Sequence, residues 1–159
     1  MGTRSTIALE YADGTVEQVY CHWDGYLSHN GKILLDHYSN PFILRDLIDL
    51  GDLSSLRPTI GTKHAFSQFE LRAEEVAGFK LLTENMCTFY GRDRGEEGAS
   101  AKKFKDYADY KANHQYEEYA YILRAVCGEA VWFVADHSDE FKPLVKALLE
   151  EAEAETLQA

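Results

Sequence analysis

Three prolines, two methionines and three cysteines in 159 residues already narrow the field. Cys21, Cys87 and Cys127 are odd in number and widely separated, with no Cys-x-x-Cys pair. Neither a disulfide framework nor a zinc knuckle is indicated, and each thiol, lying in or beside an apolar run, is expected to be buried and free. No apolar run approaches the roughly 18 residues of a membrane span. The opening Met1-Gly2-Thr3-Arg4-Ser5-Thr6-Ile7 lacks the apolar centre of a secretory signal, so the expected location is cytoplasmic, with no membrane partner. Positive charge is scarce as well: 16 Lys and Arg stand against 27 Asp and Glu, a net charge of −11. That argues against direct nucleic-acid binding, which runs on cations. It permits high solubility or attraction to a basic protein surface.

Catalytic signatures are missing too. There is no Gly-x-Ser-x-Gly elbow, no glycine-rich phosphate loop after a strand, and no His-x-x-x-His pair with an acidic companion among His22, His29, His37, His64, His114 and His137. No catalytic residue, cofactor or metal ligand is therefore assigned.

What is present reads as one α+β domain spanning 1–159. The hydrophobic fraction is 45% with ten tyrosines, a folding composition. Ser5 to Tyr11 and Val16 to Trp23 bracket Asp13-Gly14, a strong hairpin signal. A two-residue loop there pairs Tyr11 with Val16, Leu9 with Gln18 and Ile7 with Tyr20. A second hairpin is expected over 116–135 about Cys127-Gly128, with Val131-Trp132-Phe133-Val134 as a buried strand, and a short central strand over Met86 to Tyr90. The expected sheet is mainly antiparallel, built from the hairpins 5–23 and 116–135 plus that strand, with helices packed on it. Ser28 is expected to cap a first helix. Asn40 caps a second, with Pro41 at its first position and Gly51 just past its end. Ala65 to Leu71 reads as a short strand, and residues 91–103, with three glycines and seven charges, as an exposed, mobile loop. Phe141, Leu144, Val145, Leu148, Leu149 and Ala152 fall at helical spacing, so a last helix capped by Asp136 or Ser138 is expected to dock on the sheet. Its glutamates crowd the C-terminal end, where the helix dipole disfavours them, so 153–159 is expected to fray.

Three polar features are candidates for function. His22, Trp23, Asp24 and Tyr26, followed by His29 and Asn30, lie at a strand end, where an acid–base pair and a stacking ring can meet a polar ligand. Tyr90, Arg92, Asp93, Arg94 and Glu96 alternate charge on the later loop and can hold a phosphate or carboxylate through arginine forks. If these two clusters meet, they would bind or hydrolyse a nucleotide-like small molecule. The third feature is acidic: Asp46, Asp49 and Asp52 at i, i+3 and i+6, with Asp139, Glu140, Glu150 and Glu151 in a 136–159 segment of charge −5. Such rows suit a partner with a basic surface. The tyrosines also leave a homodimer open.

Thr3-Arg4-Ser5-Thr6-Ile7, Tyr20-Cys21-His22-Trp23-Asp24-Gly25-Tyr26 and the later Tyr90-Gly91-Arg92-Asp93-Arg94-Gly95-Glu96 resemble motifs of short uncharacterised proteins of bacteriophages and other mobile elements. No catalytic residue carries over from that group. The resemblance implies a phage or plasmid origin and a small acidic accessory protein. Such a protein is expected to inhibit a host nucleic-acid-handling or defence complex without catalysis, as anti-CRISPR proteins do.

Overall fold

A computed structural model describes residues 2–114, 118–136 and 140–158. It is an α+β fold with a mixed eight-stranded sheet. The strands are β1 (Ser5–Glu10), β2 (Val16–Cys21), β3 (Leu53–Ser55), β4 (Thr88–Phe89), β5 (Lys102–Phe104), β6 (Tyr119–Val126), β7 (Glu129–Asp136) and β8 (Lys142–Pro143). The helices are α1 (Lys32–His37), α2 (Pro41–Asp49), α3 (Val76–Thr83), α4 (Tyr90–Arg94), α5 (Tyr107–Asn113) and α6 (Leu144–Gln158). The strand order is β4-β3-β2-β1-β6-β7-β8, with β5 also on β2.

Both hairpins form, but the sheet is not simply antiparallel. β1 pairs β6 in parallel and β2 pairs β3 in parallel, so the two hairpins adjoin through their first strands. The first hairpin also differs from its expected register. Glu10 faces Val16, and Tyr11 N donates to Thr15 O at 2.8 Å while Gly14 N donates to Tyr11 O at 2.9 Å. This is a three-residue loop, a turn followed by Gly14 at φ +90°, in place of the two-residue loop. The one-residue shift sets Val19 and Cys21 on the same face as Ile7 and Leu9; the two-residue loop would have put them opposite.

Each central strand divides its side chains between two cores. Ile7, Leu9, Val19, Cys21, Tyr121, Leu123, Trp132 and Val134 join Leu34 of α1, Leu44, Leu47 and Ile48 of α2, and Leu144 and Ala147 of α6. Ala8, Val16 and Ile122 on the other face meet Phe104 and Tyr110 of α5. Covering both faces explains why both hairpins are apolar on both sides.

Asn40 caps α2 by accepting Phe42 N at 2.9 Å, with Pro41 at the first position. Ser28 caps nothing: it lies inside a π-helical turn, Leu27–Gly31, that runs into α1. Ala65 to Leu71 is not a strand; it holds a 3₁₀ turn at Gln68–Glu70. Residues 61–86 contain no buried residue, and Phe69 is 90% exposed. The stretch 91–103 is helical at its start, in α4, and extended at its end, in β5. The last helix begins at Leu144, so Phe141 precedes it and Asp136 ends β7 instead of capping it. The expected strand start at Tyr116, the cap Ser138 and the end of the tail at Ala159 lie outside the described residues; α6 continues to Gln158. Cys21 and Cys87 are buried, but Cys127 is exposed. It occupies the two-residue turn between β6 and β7 at φ +52°, next to Gly128 at φ +83°. Among the described residues no helix is long and apolar enough to cross a membrane.

Gly51, at φ +86°, is where the chain leaves α2 for β3, and a Cβ there would land on the Ala99 carbonyl oxygen, which accepts Asp52 N at 2.7 Å. Gly14 has nothing within 4 Å of a Cβ position. Gly14→Ala should therefore cost only backbone strain, about 1 kcal/mol, whereas Gly51→Ala should cost strain plus a displaced carbonyl, upwards of about 2 kcal/mol. Equal losses for the two variants in urea melts would contradict the close approach at Gly51.

Candidate functional site

The two polar clusters come together because β3 lies between them. His22 N and Trp23 N donate to Leu53 O and Ser54 O at 3.1 and 3.0 Å, carrying the end of β2 past β3. On its other edge β3 pairs β4, and Tyr90 N donates to Asp52 O at 3.1 Å, starting α4. Side chains from residues 20–24 and 90–96 therefore flank the same three-residue strand.

Two depressions lie along it. The first, about 300 Å³, is lined by Tyr20, Asp52, Tyr90, Arg94, Glu96, Gly98 and Ala99. The second, about 360 Å³, is lined by Trp23, Asp24, Ser54, Ser55, Arg57, Phe66, Phe79, Thr83 and Thr88. Phe66 connects them: its ring lies 5.5 Å from that of Tyr90, and the Arg94 guanidinium sits over both rings at 4.6 and 4.8 Å. Arg94 also pairs with Glu96 at 2.7 Å on the surface.

His22 does not pair with Asp24. Its Nδ1 bonds the Tyr20 hydroxyl at 2.7 Å, and its ring meets Trp23 edge-on at 4.6 Å. Trp23 is 43% exposed. Asp24 holds the turn at φ +58°, where its carbonyl accepts Asn30 N at 3.2 Å. The Asn30 amide in turn reaches Ser5 Oγ, Cys21 Sγ and Trp23 O, and its Oδ1 bonds His29 Nδ1 at 2.9 Å. Gly25 allows this turn to close, since a Cβ there would meet Ser5 Cβ at 2.7 Å. Tyr26 packs beside His29 at 5.8 Å and lines neither depression.

Arg92 and Asp93, expected to face a ligand, are spent inside the protein. The Asp93 carboxylate accepts Phe89 N at 2.8 Å, His64 N at 3.1 Å and Arg92 Nε at 3.0 Å. The Arg92 guanidinium donates onward to Ile60 O, Gly61 O and Cys87 O and lies over the Phe89 ring at 4.6 Å. The pair fastens residues 60–64 to the β4–α4 junction and has no donors left for a phosphate.

Of the acidic rows, Asp46 and Asp49 are exposed on α2, but Asp52 leaves the row. It lies beyond the helix end, half-buried, with Oδ1 accepting Tyr20 N at 2.9 Å in the gap between β5 and β3 on the β2 edge. Burial pushes its carboxyl above the usual range, and the Glu96 charge adds to the shift. Glu140 and Glu150 are exposed, Glu150 bonded to Lys142 at 2.8 Å, and Glu151 is half-buried. Asp139 lies outside the described residues. Among those described, no three His, Cys, Asp or Glu side chains converge to hold a metal ion.

Ser54, Ser55, Arg57, Phe66 and Phe79 were not singled out from sequence. Arg57 and Phe79 lie far from either motif along the chain, and only the β3 crossing and the 61–86 excursion bring them to it. Comparison with protein-family models, curated proteins and solved structures found no match.

Two outcomes check this geometry. Asp93→Ala leaves the enclosed Arg92 without its carboxylate and should cost about 3–5 kcal/mol; a loss under 1 kcal/mol would remove its role as a fastener. Asp52 has a folded-state pKa raised above its unfolded one, so its ionised form opposes folding once pH rises above the carboxylate range. Asp52→Asn, which keeps the acceptor for Tyr20 N, should raise Tm at pH 7, and the gain should vanish as pH falls through that range. A gain that persists in acid would contradict burial as its cause.

Proposed function

We propose that this chain is a non-catalytic binding protein that occupies a basic, partly apolar surface on a protein partner through α6. The supporting observation is the division of that helix. Leu144 and Ala147 are buried and Leu148 is partly so, whereas Val145 and Leu149 are 51% and 59% exposed. Val145, Leu149, Ala152 and Thr156 recur at helical spacing as a second stripe that nothing among the described residues covers. Glu153 borders it on one side and Glu151 and Glu155 on the other. α6 carries four glutamates against a single lysine, and among the described residues neither Glu153 nor Glu155 has an ion-pair partner.

Acids in the last turns of a helix oppose its dipole and cost stability. An acid-rimmed apolar stripe is matched by a partner groove with an apolar floor and basic edges, where the same charges steer association and set specificity. Asp46 and Asp49 on α2 add to the negative field; α2 packs on β1 and β2, whereas α6 packs on β7, β8 and α1. The net charge of −11 favours a basic partner further. The motif resemblance adds the setting: a host complex that handles nucleic acid presents basic surfaces, and an acidic phage-type protein seated on one would block it.

The test begins with capture of partners from host cells by tagged protein, followed by titration of the purified partner. Affinity should fall steeply between 0.05 and 0.5 M salt. Glu150→Lys/Glu153→Lys/Glu155→Lys should abolish binding without lowering the thermal melt, since it removes acid from the helix end where the dipole disfavours it, and Leu149→Glu should weaken it at least tenfold. A partner held equally well in 1 M salt, or retained by the triple variant, would remove this reading.

A further inference from the structure

Arg57 is one of the cations that stand without a carboxylate partner on this acidic surface. Among the described residues no carboxylate lies within ion-pair distance of it; one guanidinium nitrogen donates to Leu56 O at 2.8 Å. Its backbone is fixed: Arg57 O accepts the Tyr38 hydroxyl at 2.7 Å, and Arg57 N donates to Cys87 Sγ at 3.3 Å. The guanidinium is thus anchored at its root at the end of the groove beside β3. It also borders a neighbouring hollow of about 540 Å³ lined by His29, Ile33, Pro58, Lys80, Thr83 and Glu84. Arg57 and Thr83 are common to both linings, so the two hollows meet there. Lys80 and Glu84 are one turn apart, yet they do not approach within ion-pair distance, so Lys80 is a second available cation.

On the other side of Arg57 the groove changes character. Trp23 forms one wall with its ring partly open to solvent, Phe66 and Phe79 contribute from the 61–86 excursion, and Ser54, Ser55 and Thr88 supply hydroxyls from β3 and β4. An aromatic slot with hydroxyl donors, ending at a fixed arginine and a lysine, matches a flat heteroaromatic ring joined to a compact anion.

We propose that this groove binds a mononucleotide. The base stacks on Trp23, as aromatic walls favour, and the phosphate is gripped by Arg57, whose fork suits two phosphate oxygens, with Lys80 alongside. Base edges find donors and acceptors in Ser54, Ser55 and Asp24. The site is separate from α6, and it takes a single nucleotide in preference to a strand. Extending the ligand would bring further phosphates against a protein of net charge −11, and the two hollows supply only Arg57 and Lys80 as cations to hold them.

The experiment titrates the full-length protein with AMP, adenosine, inorganic phosphate and a 5′-phosphorylated single-stranded hexanucleotide. It reads the Trp23 indole and the backbone amides of residues 54, 55, 57 and 83 by NMR. AMP should shift these signals saturably. Arg57→Gln and Lys80→Gln should each weaken AMP binding, the former about tenfold, while changing adenosine binding less than about twofold. Trp23→Leu should weaken AMP and adenosine alike. Lys80 is exposed on α3, so its variant keeps the test meaningful if Arg57→Gln proves unstable. The proposal is overturned if millimolar AMP moves none of these signals, if both charge variants bind AMP as the wild type does, or if the hexanucleotide binds more tightly than AMP.

Discussion

The parallel pairing of β1 with β6 is the contact on which the architecture rests. Each hairpin alone has one apolar strand pair and two open edges, too little for stability in water. Joining Ser5–Leu9 to Tyr119–Leu123 closes one edge of each and aligns Ile7 and Leu9 with Tyr121 and Leu123, so that one core continues across four strands. Parallel strands need a long connection. Here that connection contains α1 to α5 and β3 to β5, which is where every helix except α6 and all the groove-forming residues beyond β2 are found. The Tyr121 hydroxyl, donating to Gly25 O at 2.6 Å, carries the same joint to the turn that presents Trp23.

Within that connection, polar groups at different positions do opposite work. Arg92 and Asp93 satisfy each other and five backbone groups and end as internal fasteners. Arg94, two residues on, is outside, held over Phe66 and Tyr90. Alternating charges in a glycine-rich run look the same in sequence whether they face inward or outward. Burial of Phe89 and Cys87 at 0% turns Asp93 inward, since its carboxylate must accept the Phe89 amide that the short strand β4 leaves unpaired. Asp52 illustrates the same point on the sheet edge. Past the end of α2 it no longer belongs to a helical face, and it takes up the Tyr20 amide that neither β3 nor β5 reaches.

The hairpins, the Asn40-Pro41 start of α2 and the Gly51 turn were legible because each rests on local chemistry: positive φ, a side-chain acceptor, a fixed proline ring. The register of the first hairpin was not. Asp13-Gly14 fits a two-residue loop and a three-residue loop equally, and only the need to place Val19 and Cys21 beside Ile7 and Leu9 decides between them. β3 escaped notice because Leu53-Ser54-Ser55 offers one apolar residue and no alternation. The 61–86 excursion misled for the reverse reason: Phe66, Phe69 and Leu71 give 65–71 enough apolar character to read as a strand, yet that stretch holds a 3₁₀ turn and none of its residues is buried. Of the groove, Trp23 and Asp24 were visible as a motif, while Arg57 and Phe79 acquire meaning only from the neighbours that folding gives them.

The turn at Cys127 gives the molecule a chemical asymmetry among its three thiols. Cys21 is enclosed, with burial pushing its thiol up to about 12, and Cys87 is likewise raised by burial and bonded to Tyr38. A thiolate must reach a maleimide-type reagent to attack it, and of the three cysteines Cys127 alone is exposed in the folded protein. The hairpin tip is thereby a ready attachment point for a fluorophore or spin probe, introduced without mutation and without touching β3 or α6.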